Sequence, residues 1–453
     1  VNASCGLSTE INPSRLHIFA FRMNFPYFIA RRVAASGQPT FSRLILRIAV
    51  AAVAISVAVM IIATSLIAGF KEQISRKVFG FWGHIHITDT NIGRTVLESS
   101  PISRDQPFYP SLDTLGTIPY QAMRQVFGQE LLRTDRTAGG VRHIQVFAFH
   151  AGVIKAEDAI EGILLKGVGP DFDWAFLAEY IKEGRAISLP DAKPSREILI
   201  SRQTADRLRV GVGDRFTVHV PGQGDMLKRR FEVAGIYRTG LEEYDRRFAL
   251  VDIRQIQQLK GWSPDQVSGF EVFVDDVQDV EVLADYIYSE LLPQGLYAET
   301  IREKLPEIFD WLDLQDINEL VILSLMQLVA IINMITALLI LILERTNMIG
   351  TLKALGGTNW QIRRVFLYYA AYIIILGLFW GNLIGLGLCF LQQQFGFITL
   401  DETNYYLSVA PIKFRWGTIL LLNLGTLLLT LLFLVLPSWL VSRIDPVKAI
   451  RFK

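Results

Sequence analysis

Four stretches of the chain run without a charged residue: 48–70, 320–343, 365–400 and 416–442. About 20 apolar residues at helical rise cross the ~30 Å hydrocarbon core of a bilayer, so each stretch predicts a membrane span. The spans are placed at 48–70, 320–343, 366–391 and 417–440. The segment 71–316 is patterned differently. "HIHIT" (84–88) alternates like a strand. "QAMRQVFGQELL" (121–132) has helical spacing, and "VRHIQVFAF" (141–149) and "IEGILLKGV" (160–168) have strand character. "EILISRQTADRLRVGVGDRFTVHV" (197–220) predicts strand, short helix, Gly-Asp turn and strand. "RRFEVAGIYRT" (229–239) pairs back across "PGQGDMLK" (221–228) as a hairpin. Further strands are predicted at 248–253 and 269–276, and helices at 254–260, 280–292 and 301–316, the last running into the second span. That order of elements predicts an α+β domain between spans one and two.

Lys and Arg at the span ends fix the orientation. Arg31, Arg32, Arg43 and Arg47 precede the first span. Arg345, Lys353, Arg363 and Arg364 lie between spans two and three. Arg443, Lys448, Arg451 and Lys453 follow the fourth. Both the tail 1–47, with its amphipathic segment, and the tail 441–453 are therefore expected in the cytoplasm with the loop 344–365. The domain 71–316 and the short loop 392–416 are expected outside. Composition agrees with a membrane protein carrying a large extramembrane part: 453 residues, 51% hydrophobic and 20% charged. A net charge of +1 gives no case for nucleic acid. The two cysteines, Cys5 and Cys389, do not make a disulfide framework, and no apolar segment precedes Cys5 to make it a lipidation site. Patterning becomes clean at Met23, which is a candidate start.

The polar loop "ERTNMIGTLKALGGTNWQIRR" (344–364) separates two spans. Its glycines, 350, 356 and 357, are not followed by Lys-Ser/Thr, and a span rather than a strand precedes them, so it is no phosphate-binding loop. Met348, Ile349, Leu352 and Leu355 fall at helical spacing, Gly356-Gly357 is a stop, and Thr358 is a reasonable N-cap for the next helix. An amphipathic helix at the membrane face can cover its stripe on its own bundle, on the interface, or on a partner. The residues alone leave these open.

The loop, with the ending "SRIDPVKAIRFK" (442–453), resembles FtsX-like permeases, the membrane subunits of type VII ABC systems. "FIARRV" (28–33), "GFKEQISRKVFGFWGHIHIT" (69–88) and "ILLKGVGPDFDW" (163–174) resemble the LolC/LolE lipoprotein-releasing branch. The resemblance runs from Met23 to the end. It implies a MacB-like core in the outer domain and location in the inner membrane. It also implies a second permease subunit, identical or paralogous, and a separate ABC ATPase that carries ATP and Mg. The loop would be a coupling helix seated on that ATPase through Met348, Ile349, Gly350, Leu352, Lys353, Ala354, Leu355 and Gly356. The implied work is extraction of lipoproteins and their handover to a periplasmic carrier. A MacB-like efflux device and an FtsX-like signalling protein controlling a cell-wall hydrolase are the other readings. In the lipoprotein-releasing pair, one subunit carries an extended hook that recruits the carrier. The matching connection here, 221–228, is short. This chain is then not the recruiting subunit, or does without a hook, or belongs to another branch.

The remaining features carry plainer readings. Gly377, Gly381 and Gly385 form a stripe that lets helix backbones approach closely. Asn333, Thr336, Asn382 and Asn423 suit interhelical hydrogen bonds. The span centres hold no charge, which disfavours an ion relay. His84 and His86 share a strand face without the further ligands of a metal site. Glu242, Glu243 and Asp245 read as a solvated turn. No catalytic residue and no cofactor of its own is assigned to the chain.

Overall fold

The computed structural model describes residue 28 and residues 41–90, 100–126, 129–155, 160–221 and 226–444. Cys5, Met23, most of "FIARRV" and all but the start of "SRIDPVKAIRFK" lie outside the described residues. So do Arg31, Arg32, Lys448, Arg451 and Lys453. The chain divides into two units. One holds 1–67, 317–394 and 413–453, and the other holds 68–316 and 395–412.

The first unit is a helix bundle. Among the described residues, four helices are long and apolar enough to cross a membrane: Leu44–Trp82, Pro306–Glu344, Asn359–Phe395 and Trp416–Arg443. The first begins at Phe41. The fourth turns at Pro437 and Trp439 into a last short helix, Leu440–Arg443. Val53, Val57 and Ile61 of the first helix meet Met334 and Leu338 of the second, Phe366 and Ile373 of the third, and Leu434 of the fourth in one buried core. Gly377, Gly381 and Gly385 of the third helix pack against the first. A Cβ on Gly381 would stand 2.8 Å from the Val57 Cβ and the Ala54 carbonyl oxygen, and one on Gly377 2.7 Å from Val53. The stripe is thus where the first and third helices touch backbone to side chain.

Two polar clasps hold the fourth helix. Asn382 and Asn423 exchange amide hydrogen bonds at 2.6 and 3.0 Å. Gln327 of the second helix accepts from Thr426 at 3.0 Å and donates to Thr430 at 3.3 Å. Thr336, expected between helices, instead donates to the Ile332 carbonyl of its own helix. A hydroxyl one turn above an i−4 carbonyl satisfies itself locally.

The second unit is built on a ten-stranded mixed sheet. Its strands are β1 (Ile85–Asp89), β5 (Val141–Lys155), β6 (Ile160–Val168), β7 (Ile181–Gly184), β8 (Glu197–Ser201), β9 (Arg215–Pro221), β10 (Met226–Tyr237), β11 (Phe248–Asp252), β13 (Gly269–Val274) and β14 (Leu296–Thr300). The order is β14-β1-β13-β5-β6-β11-β8-β10-β7, with β9 bridging β10 and β5. The pairs β6–β11 and β8–β10 are parallel and the rest antiparallel. Helices Ile253–Lys260 and Val280–Tyr286 cover an apolar core of Ile144, Val146, Leu165, Ile198, Val251, Ile256, Phe270 and Leu283. A small pair, β2 (Ile102–Ser103) with β12 (Gln266–Val267), lies beside it.

The segment 121–132, expected as a helix, is a β-hairpin: β3 (Pro119–Val126) pairs antiparallel with β4 (Gln129–Arg136). Its base decides the matter. Ile118 and Thr137 exchange hydrogen bonds, and Asp279 accepts from the Ala138 and Gly139 amides. Those contacts hold the two chain ends side by side, which a helix would not allow. The expected turn at 242–245 is a helix, Glu242–Arg247, and Asp245 is buried rather than solvated. Its carboxylate accepts from the Thr239 amide and hydroxyl and the Gly240 amide. The connection between β9 and β10 is residues 222–225, outside the described residues.

Candidate functional site

The loop between the second and third spans folds as read: helix Thr346–Ala354, a stop, then helix Asn359–Phe395. Gly356 takes φ +91°, a conformation that a side chain would strain. The Gly357 amide closes the end on the Leu352 carbonyl at 2.9 Å. Thr358 and Gln361 form a reciprocal cap: the Gln361 amide donates to the Thr358 hydroxyl, and the Thr358 amide donates to the Gln361 side chain. Both caps fix the loop without outside help.

The eight residues singled out by resemblance divide into two faces. Ile349 and Gly350 are buried, and Met348 and Leu352 are half-buried on the bundle core. Lys353 turns onto the end of the fourth helix. Ala354, Leu355 and Gly356 are exposed, Leu355 at 79%. Asn347, Thr351, Thr358 and Trp360, which spacing alone did not pick out, extend that exposed face. Arg364 lies over the Trp360 ring at 5.0 Å.

Within the second unit, the end of the first helix is built into the sheet. Its side chains Ile74, Val78, Phe79, Phe81 and Trp82 share a buried cluster with Phe147, Phe149, Tyr244 and Phe248. Ile301, Phe309 and Leu312, from the segment leading into the second span, belong to the same cluster, as does Leu407. The segment 395–412, within the short outer loop expected at 392–416, thus joins this unit. Arg238 pairs with Glu402, and Lys77 donates to the Tyr406 carbonyl at 2.8 Å.

A buried ionic row lies beneath. Sheet register aligns His86, Glu271 and Gln145 on neighbouring strands β1, β13 and β5. Lys166 Nζ sits 2.7 Å from Glu271, and Gln145 donates to the other carboxylate oxygen at 2.7 Å. Lys166 also donates to the Phe81 carbonyl at 2.7 Å, while His86 Nε2 lies 2.6 Å from the Trp82 carbonyl. These are terminal carbonyls of a helix whose own last turn has no basic residue. The Lys166 ammonium and a His86 ring N–H, both from the sheet, meet them instead. Burial pushes the Glu271 carboxyl upward against the pull of Lys166. It holds His86 well below the ordinary imidazole value, with Lys304 adding to the effect. A neutral His86 donating through Nε2 leaves Nδ1 to accept from Lys304 at 3.1 Å. A lone charge inside each of two apolar strands, "ILLKGV" and "GFEVFV", was the available sequence signal.

Two family models match the chain: the MacB-like periplasmic core domain over residues 47–288, and the FtsX-like permease C-terminal domain over 320–446. The chain belongs to the FtsX-like permease family with a MacB-like periplasmic core. This permease is similar to a protein of Xylella fastidiosa named lipoprotein-releasing system transmembrane protein LolC. The two are 24% identical over 71% of this chain and 80% of that protein. It is also similar to one of Haemophilus influenzae named lipoprotein-releasing system transmembrane protein LolE, 22% identical over 94% of this chain and 99% of that one. The solved periplasmic region of MacB from Actinobacillus actinomycetemcomitans is 11% identical. That match covers 51% of this chain and 95% of that one at a TM-score of 0.32. As a member of this family, the permease is the membrane subunit of an ABC system, an inner-membrane protein with a periplasmic domain.

Proposed function

We propose that this permease releases lipidated proteins from the inner membrane, driven by a separate ABC ATPase docked on the loop 344–364. The observation that carries the reading is the loop itself. A helix capped at its stop and held on the bundle by Ile349 presents Ala354, Leu355 and Gly356 outward. A self-capped helix with one apolar side chain left out suits docking in a groove. The lipoprotein cargo is supported by the names of the relatives from Xylella fastidiosa and Haemophilus influenzae.

In this reading both termini and the loop are cytoplasmic, as the Lys and Arg distribution requires. ATP and Mg are bound by the partner ATPase. A second permease subunit, identical or paralogous, completes the membrane unit, and a periplasmic carrier receives the cargo. Leu320, Val321, Leu325, Leu328 and Ile332 of the second helix are exposed in the single chain, as are Ile48 and Ile55 of the first. Apolar faces of this kind suit acyl chains, which need no polar ligand. ATPase closure would displace the loop helices, and the spans would carry the motion outward to expel the lipoprotein.

The reading is tested by ATPase capture. Purified in mild detergent, the tagged chain is expected to retain an ABC ATPase, and Leu355→Asp is expected to lose it while keeping the fold. Capture that is indifferent to Leu355→Asp would remove this face as the docking surface. Recovery of an outer-membrane channel or a cell-wall hydrolase in place of lipoproteins would favour the efflux or signalling reading.

A further inference from the structure

We propose that Lys353 and Arg363 are positioning residues, a clasp that makes the loop helix and the cytoplasmic end of the fourth span move as one body. Lys353 Nζ donates to the carbonyls of Ser442 at 3.2 Å and Ile444 at 2.8 Å. Arg363 Nη2 donates to the Ser442 hydroxyl at 2.5 Å. One cation comes from the helix before Gly356-Gly357 and the other from the helix after it, so both flanks of the stop grip the same point.

The target is chemically apt. The carbonyls that close a helix lack intrahelical partners and favour a cation. The basic residue of that last turn, Arg443, lies over the Trp439 ring at 4.5 Å. Lys353, distant in sequence, meets the carbonyls of Ser442 and Ile444. Beneath the polar contacts, Ile349, Ile362 and Val441 are buried in one cluster, with Met348, Leu352, Leu440 and Ile444 half-buried against it.

The consequence concerns force. Spans two and three are joined to the loop by the peptide chain and follow it directly. Span four has no such covalent tie. Besides the shared apolar core, it is held within the bundle at Gln327 and at Asn382, and at the loop by this clasp over the Ile349, Ile362 and Val441 packing. A push on the loop therefore reaches span four at its cytoplasmic end through Lys353 and Arg363. The Lys353 ammonium is thereby committed inward, to the chain's own backbone rather than to a partner.

The functional half of this inference rests on the ATP-driven reading; the geometric half does not. The test uses the full chain with Cys5 and Cys389 replaced by alanine and spin labels at Leu355→Cys and Arg443→Cys, in nanodiscs. Wild-type Lys353 and Lys353→Arg are expected to give one narrow distance, and Lys353→Met a broad distribution. A narrow distance in Lys353→Met overturns the clasp. In unlabelled protein with its ATPase, Lys353→Met is expected to keep ATPase binding and hydrolysis. Cargo released per ATP is expected to fall about fivefold or more, the size of an ordinary coupling free energy, and Lys353→Arg to restore it. Unchanged release overturns the coupling role, and loss of ATPase binding makes Lys353 a docking contact instead. If the wild type binds no ATPase, the functional reading fails while the distance measurement still decides the clasp.

Discussion

At the residue scale, the Lys166–Glu271 pair gives the sharpest expectation. Both side chains are buried at 2.7 Å separation. Removing one partner of such a pair strands the other and costs about 3–5 kcal/mol. Glu271→Gln should therefore lower the melting temperature of the purified chain strongly, and Glu271→Met with Lys166→Met should recover much of it. Equal melting of Glu271→Gln and wild type would mean the pair carries no stability. The glycine stripe gives a paired control. Gly381→Leu must part the first and third helices, and overpacking of that kind costs about 1–3 kcal/mol. A Cβ on Gly387 meets nothing within 4 Å, so Gly387→Ala should be silent in the same denaturation assay. His84 sets a pH dependence. Burial, with Arg142 beside it, holds its imidazole at about 4, against about 6.5 when unfolded. Below pH 6.5 the unfolded chain takes up a proton that the folded chain refuses, so stability is full above 6.5 and falls toward pH 4. His150, also held at about 4 by burial, adds to the slope. His84→Phe should keep the stacking on Phe79 and flatten the melting profile between those limits; an unaltered slope would clear His84 of any part in it.

The elements show what was legible and why. The four spans are readable because a charge inside a bilayer is too costly to hide. Their helices run past the apolar stretches: the first continues to Trp82, because Lys71, Arg76 and Lys77 share their turns with Ile74, Val78 and Phe79, which face the cluster. An uncharged-run criterion stops at Phe70 and misses this. The loop helix, its glycine stop and the Thr358 cap were legible, since Thr358 and the glycines state their roles locally; the answering Gln361 side chain was not read. The hairpin was not. Ala122, Met123, Leu131 and Leu132 satisfy helical and strand spacing alike, and the choice is made by Asp279, far along the chain. The buried face of the loop was also hidden, because sequence spacing gives a stripe without saying what covers it. Two aspartates make the expected contrast. Ile349→Asp puts a charge into the bundle core and should prevent folding, seen as loss of the monodisperse detergent-solubilised chain. Leu355→Asp should remain folded. Equal behaviour of the two would contradict the division of the loop into a packed and a free face.

At the scale of the whole molecule, two units of different construction serve one proposed task. The bundle provides apolar faces and the loop 344–364; the periplasmic unit provides a sheet in which the end of the first helix, the lead into the second and the loop 395–412 share one cluster. In this account the chemistry of ATP belongs to the proposed partner ATPase. The measurement that tests this most directly is reconstitution of the full chain with its co-purified ATPase and membrane-embedded lipoproteins, following acylated protein released from the bilayer. The account predicts release only with hydrolysable ATP, and its loss in Leu355→Asp. Release without the ATPase, or ATP hydrolysis that never moves an acylated protein, would contradict it.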